Sequence, residues 1–283
     1  MTQVWINGAR VSQEDARVSV FDRGFLFGDA VFEVLRGYAG HPFALDEHLA
    51  RLQSSLEAMA IPSPCPSSVL ADEVRSALEG VSGDSYVRLT VTRGEGLGLD
   101  PRSAGPPTRV LIVTPVGHDA ALLSRGVAVA SVRAVRSTEW SRAVGAKVAS
   151  YVPNLLALMS AQQRGAYEAV LVGDDGSLSE GSSSNFFLVT RGALTTPPLE
   201  SGVLPGITRR FVLECATALR IPHRESMCFA SDVRHAEECF LTSSVREVVP
   251  VVAFDELAIG SGQPGPVTRA LQQRYRERVR AQR

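Results

Sequence analysis

The sequence predicts a two-part chain of mixed α/β and α+β class. Three observations carry this expectation. Strand-like and helix-like segments alternate through the first part of the chain, and from Val127 onward they continue without a regular βαβ rhythm. The length of 283 residues suits one large domain or two of ordinary size.

The elements follow in order. Residues 3–8 read as a strand ending at the hairpin signal Asn7-Gly8. Val18–Phe21 reads as a second short strand and Val31–Tyr38, by its alternation, as a third. Gly40-His41-Pro42 then turns the chain toward Phe43-Ala44-Leu45. Asp46 can N-cap a helix over Glu47–Ala60, where Leu49, Leu52, Leu56 and Met59 recur at helical spacing. A second helix fits Pro66–Leu78. Tyr86–Thr92 and Thr108–Pro115 read as strands joined by the Gly-rich turn Gly94–Pro106. Val116–Arg125 is weakly patterned and reads as a linker, and Val127–Val135 alternates as a strand does. Pro153 suits the first turn of a helix running to Arg164, which Gly165 stops. Glu168–Val172, Asn185–Val189 and Ala193–Thr195 read as strands, with Asp175-Gly176 as a turn. Ile207–Leu219 reads as a helix after Pro205-Gly206, Glu238–Leu241 and Val248–Val252 as strands, and Val267–Arg280 as a terminal amphipathic helix. The expected division is a first domain over 1–118, a linker over 119–128 and a second domain over 129–283.

Composition narrows the function classes. A net charge of -1 provides no global field for nucleic acid or an acidic membrane, so neither is expected as a partner. No stretch approaches the roughly 18 apolar residues of a membrane span. The start, Met1-Thr2-Gln3-Val4-Trp5, carries no basic region followed by an apolar run, so the cytoplasm is the expected compartment. Cys65, Cys215, Cys228 and Cys239 form no CxxC pair and read as free thiols. The five histidines (His41, His48, His118, His223 and His235) lack zinc spacing, so no metal is expected.

Lysine usage is informative. Lys and Arg total 29, and Lys147 is the one lysine. Arg replaces Lys freely for surface charge, but not where a neutral amine must attack a carbonyl, because guanidinium stays protonated. Arginine bias explains the other 28 and leaves two accounts of the survivor, chance or Schiff-base chemistry. The small neighbours in Gly145-Ala146-Lys147-Val148-Ala149-Ser150-Tyr151 suit a partly buried amine, and burial favours the free base.

A pyridoxal 5′-phosphate (PLP) protein needs an amine, a partner for the pyridine nitrogen, a phosphate cradle and packing for the ring. Glu180, in Leu178-Ser179-Glu180-Gly181-Ser182-Ser183-Ser184-Asn185, could pair with that nitrogen, or could sit in a surface loop of small polar residues. Leu204-Pro205-Gly206-Ile207-Thr208-Arg209 opens a helix whose free N–H groups suit a phosphate, with plain capping as the alternative. Thr242-Ser243-Ser244 could add donors, and Arg51 could pair with a phosphate bidentately.

Taken together, these segments resemble the class IV (fold type IV) PLP-dependent aminotransferases, a family that includes branched-chain and D-amino acid aminotransferases and aminodeoxychorismate lyase. The resemblance runs through Phe21–Glu33, Glu47–Leu52, Glu180-Gly181 with Ser184–Phe187, Thr196-Pro197-Pro198, Gly202–Arg209, Phe240–Ser244 and Glu247–Val251. It implies a smaller N-terminal α/β domain and a larger C-terminal pseudobarrel domain with PLP between them. It also implies a homodimer whose active site borrows a loop from the partner. By resemblance, Lys147 forms the internal aldimine and moves the proton between Cα and C4′, and Glu180 pairs with the pyridine nitrogen. Arg51, Gly206, Ile207, Thr208, Ser243 and Ser244 hold the phosphate, and Leu204 and Tyr151 pack at the cofactor. Phe32, Arg36, Arg93 and Gly98 border the substrate. The implied reaction is ping-pong transfer of an amino group from a small, branched-chain-like amino acid to a 2-oxo acid. Release of pyruvate from aminodeoxychorismate is the alternative. The four-residue step from Lys147 to Tyr151 resembles the D-amino acid and lyase branches. The loop after Arg93 lacks the Arg and His with which the D-amino acid branch traps a carboxylate.

Overall fold

The computed structural model describes residues 1–117, 119–133 and 144–282. The chain divides into two compact units, Met1–His118 with Ala146–Tyr151, and Asp119–Gly145 with Val152–Gln282. Lys147 therefore belongs with the N-terminal unit although it lies far along the chain.

In the first unit, β1 (Gln3–Ile6) and β2 (Ala9–Val11) form the hairpin that Asn7-Gly8 predicts, with Asn7 at φ 51° and Gly8 at φ 86°. The expected strand at Val18–Phe21 does not form. Asp22 instead caps a short helix, α1 (Arg23–Phe27), by accepting from Gly24 N. Strand propensity needs a partner strand to become a strand, and Val18 and Val20 lie exposed without one. The unit continues with β3 (Ala30–Tyr38), β4 (His41–Pro42), α2 (Leu45–Ala58), α3 (Ser67–Leu78), β5 (Ser85–Thr92) and β6 (Arg109–Pro115). Helix α2 starts before its expected cap, from Ala44 in the left-handed region, and Asp46 and Glu47 fill its first turn, where they favour the helix dipole. The sheet order is β2-β1-β6-β5-β3-β4, antiparallel throughout. Val31 and Leu35 of β3, with Val87, Leu89 and Val91 of β5, pack against Leu49, Leu52 and Leu56 of α2 and Leu70, Val74 and Leu78 of α3.

In the second unit the weakly patterned segment is a helix, α4 (Ala120–Arg125), rather than a linker, because Asp119 caps it and Leu123 is buried. Then come β7 (Val127–Arg133), α5 (Val152–Gln163), β8 (Glu168–Val172), β9 (Leu178–Gly181), β10 (Asn185–Thr190) and β11 (Ala193–Thr196). Of the strand expected over Val127–Val135, the last two residues lie outside the described residues. Next are α6 (Ile207–Ala218), β12 (His223–Glu225), β13 (Glu238–Ser243), β14 (Glu247–Phe254), β15 (Leu257–Ala258) and α7 (Pro266–Ala281).

Strands β10-β13-β14-β7-β8-β9 are consecutive neighbours, and β9 also pairs with β10 through Glu180 and Asn185. The path closes on itself, which is the expected pseudobarrel. Closure removes the edges that an open sheet exposes. It also places Glu180 at the point where the ring shuts. A tight turn joins the two closing strands: Gly181 N donates to Ser184 O at 2.6 Å. A Cβ on Gly181 would strike the Ser184 hydroxyl and crowd Ala169 O and Ser184 O at 3.3 Å, so the turn packs closely around this glycine.

Candidate active site

The first unit carries the amine. Residues around Lys147 lie along β3 as an added antiparallel stretch. Phe32 N donates to Lys147 O at 3.0 Å, Ala149 N donates to Ala30 O at 2.8 Å, and Val31 bridges Val148. Lys147 N also donates to Ser55 Oγ of α2 at 3.1 Å. Its Nζ is thereby carried to 4.5 Å from the Phe32 ring centroid and 5.7 Å from that of Tyr151. The two rings meet edge to face at 5.4 Å. Lys147 and Tyr151 are half-buried, as expected, and Phe32 is buried.

On the opposite face of β3, Glu33 is wholly buried and carries a charge cluster that sequence reasoning did not single out. Arg51 reaches it from α2 as a fork, Nε to Oε1 and Nη2 to Oε2, both at 2.7 Å. His48 Nδ1 lies 2.7 Å from Oε2. Burial alone raises the Glu33 pKa, but the Arg51 charge and hydrogen bonds outweigh it and hold the carboxyl at about 2. Burial pushes the His48 imidazole below its ordinary range against the pull of Glu33, which favours the neutral ring. The signal for Glu33 was legible: an acidic residue flanked by apolar Val31, Phe32, Val34 and Leu35 in a strand demands a buried partner.

Arg88 of β5 was also missed. Its Cζ lies 3.9 Å from the Phe32 ring centroid, and its Nε donates to Thr90 Oγ1 at 3.1 Å. Among the described residues no carboxylate pairs with it. Arg36 is buried, with Nη2 2.6 Å from Asp84 Oδ2 and its Cζ over the Tyr38 ring. The Arg93 guanidinium is committed to protein: Nε and Nη2 bond to Asp29, Nη1 to Ala60 O and Nη2 to Met59 O. That geometry makes Arg93 a clamp. Gly98 is exposed at the tip of the loop that follows it.

The second unit carries a carboxylate and a candidate anion cradle. Glu180 is buried, and its Oε2 accepts from Leu204 N at 2.9 Å and Asn185 Nδ2 at 3.2 Å. Asn185 Nδ2 also donates to Leu204 O at 2.9 Å, so one amide fixes both the carboxylate and the chain entering α6. Gly206 is the N-cap of α6, and a Cβ there would collide with the Asn185 amide oxygen. Among the described residues no side chain caps α6. Within its first turn, the buried Thr208 hydroxyl has no hydrogen-bond partner among them. The buried hydroxyls of Ser184 and Thr242 are likewise unpartnered among the described residues. Unmet buried donors beside an uncapped helix N-terminus fit an anion such as a phosphate. Ile207 is buried, whereas Leu204 and Ser244 are half-buried. The Ser243 hydroxyl accepts from Arg246 N and Nε, both at 3.3 Å. Arg246 Nη2 in turn bonds to the buried Glu168 at 3.0 Å, and Glu168 also accepts from the Ser182 and Ser183 hydroxyls. This network ties the 243–246 turn to the 181–184 turn.

The family model of amino-transferase class IV matches residues 30–254. A putative branched-chain-amino-acid aminotransferase of Methanocaldococcus jannaschii is 38% identical over 97% of this chain and 96% of its own. A D-alanine aminotransferase of Bacillus licheniformis is 32% identical over 95% of this chain and 94% of its own. The crystal structure of the Escherichia coli branched-chain amino acid aminotransferase superposes with a TM-score of 0.91 at 30% identity, covering 98% of this chain and 94% of that one. The chain belongs to the class IV aminotransferases. Among the described residues no helix is long and apolar enough to cross a membrane.

Proposed function

We propose that this class IV aminotransferase moves the amino group of a small, branched-chain-like amino acid to a 2-oxo acid by a ping-pong route. Its cofactor is pyridoxal 5′-phosphate, whose amine form, pyridoxamine 5′-phosphate, accompanies a similar branched-chain amino acid aminotransferase in its crystal structure. The carrying observation is the second unit's pairing of a buried, doubly hydrogen-bonded carboxylate with an uncapped helix start bearing an unpartnered hydroxyl, among the described residues.

Bound PLP supplies an electron sink for bond breaking at the amino-acid Cα. The rest falls to residues of the chain. Lys147 would hold the cofactor through Nζ and, as a free amine, would carry the proton from the amino-acid Cα to C4′. Phe32 and Tyr151 flank that amine and limit its access to water. Glu180 would orient the pyridine nitrogen and retain its proton, with Asn185 and Leu204 N keeping the carboxylate in place. Ile207 and Thr208, with Gly206 giving close approach, would hold the phosphate together with Ser243, Ser244 and Arg51, whose fork Glu33 engages. Leu204 would pack on the ring. Arg88 offers its guanidinium to a substrate carboxylate, and Phe32 and the Gly94–Pro101 loop border the side chain.

The working form is a homodimer in the cytoplasm. Helix α5 supports the first point: Val152, Leu155, Leu156 and Met159 form an exposed apolar stripe on a helix with no charged residue, a face suited to a second copy. The four free thiols support a reducing compartment.

The test is a donor panel of L- and D-amino acids with 2-oxoglutarate or pyruvate, extended to (R)-1-phenylethylamine and aminodeoxychorismate. Branched aliphatic donors are expected to turn over fastest. Pyruvate release from aminodeoxychorismate without an acceptor, and no keto acid from any donor, would overturn the assignment.

A further inference from the structure

Among the described residues, the tip of the loop Gly94–Ala104 is held from outside by one buried side chain, Arg23. The Arg23 Nη1 donates to Gly98 O at 2.6 Å and Nη2 to Leu99 O at 3.4 Å, so the grip is on backbone at the loop tip. Among the described residues no other side chain outside the loop bonds to the tip at 97–99. Arg23 is itself aimed by Asp29, whose Oδ2 accepts from Arg23 Nε at 2.9 Å. Arg93 grips the same carboxylate with two bonds, at 2.7 and 3.0 Å, and ties it to the end of α2 through Met59 O and Ala60 O. Burial alone raises the Asp29 pKa, but the Arg93 and Arg23 guanidiniums outweigh it and hold the carboxyl below its ordinary range.

The loop base is fixed separately. Arg23 N donates to Gly94 O at 2.8 Å, Gly96 N to Phe21 O at 3.0 Å and Gly105 N to Glu95 O at 2.7 Å. Gly94 sits at φ 94°, where a Cβ would also strike Pro106 O. The tip has no such support: Gly98 meets nothing within 4 Å of an added Cβ, and Leu97 and Leu99 are 69% and 80% exposed. Without the guanidinium, only bonds internal to the loop would order these two leucines.

We propose that Arg23, aimed by Asp29 and braced through Arg93, is a positioning residue that sets the conformation of the Gly94–Ala104 loop tip and thereby the preference among aliphatic donor side chains. The inference rests on the reading that this loop borders the substrate. Arg23 touches no reacting atom, and its effect is on how a donor side chain is received rather than on proton transfer at Cα.

The experiment compares holoenzyme carrying Arg23→Gln and Arg23→Lys with the parent. Amide hydrogen exchange across residues 95–104 reports the latch, and kcat and KM for leucine and alanine report its consequence. In Arg23→Gln, exchange at Ser103 and Ala104, whose N–H groups donate to Asp100 O and Pro101 O next to the tip, is expected to rise about tenfold or more. KM for leucine is expected to rise roughly ten- to a hundredfold, with KM for alanine and kcat for both within about threefold and the visible cofactor band unchanged. An ammonium can reach Asp29 or Gly98 O but cannot span both as the fork does, so Arg23→Lys shifts exchange in the same direction by less. If Arg23→Gln does not fold, Arg23→Lys alone decides the matter. Unchanged exchange at Ser103 and Ala104 would overturn the latch. Faster exchange with an unchanged leucine KM would leave Arg23 holding the loop but refute its part in donor preference, and with it the placement of the loop beside the substrate.

Discussion

Replacing Glu33 by Gln removes the charge that balances Arg51 in the first unit while keeping the side-chain volume. The cost can be worked from the carboxyl itself. Its pKa is held at about 2 against an ordinary 4.5. A depression of that size corresponds to about 3 kcal/mol favouring the ionised form in the folded chain. The substitution also leaves a buried guanidinium without its counter-ion, a change that typically costs about 3–5 kcal/mol. Glu33→Gln is therefore expected to lower unfolding stability at pH 7 by about 3 kcal/mol. Because the folded pKa is depressed, the stabilisation is fully present above pH 4.5 and declines as pH falls from there toward 2. Urea unfolding of parent and variant at a series of pH values from about 7 to about 3 measures this. The stability gap should hold steady down to about pH 5 and narrow below it. Cofactor affinity should fall as well, since Glu33 aims the Arg51 fork. A variant within about 0.5 kcal/mol of the parent at about pH 7, or a gap that stays flat to about pH 3, would refute the account.

Two further outcomes are expected. Lys147→Arg should abolish the cofactor's visible absorption change on adding an amino acid and cut turnover by roughly 10²–10⁴-fold or more, with far-UV circular dichroism unchanged; an undiminished spectral response would remove Lys147 from the chemistry. Thr208→Val deletes a buried hydroxyl that has no partner among the described residues, so apo stability should hold or rise slightly, while PLP affinity in equilibrium titration falls about tenfold. Equal affinity in parent and variant would show that the hydroxyl does not serve the phosphate.

The amino-acid sequence determined the local elements whose signals are short-range. The Asn7-Gly8 hairpin, the α2 and α6 periodicities and strand β8 follow from turn chemistry and apolar spacing within a few residues. The sequence also singled out Lys147, because uniqueness needs no coordinates, and Glu180, Gly206 and Thr208, because they fall in ordered motifs. What the fold alone decided is which groups meet. The Arg51 fork on Glu33 spans 18 residues of chain, Leu204 N on Glu180 spans 24, Arg93 on Asp29 spans 64 and Arg23 on Gly98 O spans 75. Such pairings are set by strand register and barrel closure, which depend on the packing of the whole sheet. For that reason Arg93, expected beside the substrate, emerges as a brace on Asp29, and Val18–Phe21, expected as a strand, finds no neighbour to pair with. Lys147, Phe32 and Tyr151 were visible in the sequence, but the contact of the two rings with the Lys147 amine and the bond from Lys147 N to Ser55 come into view only once its segment is laid along β3.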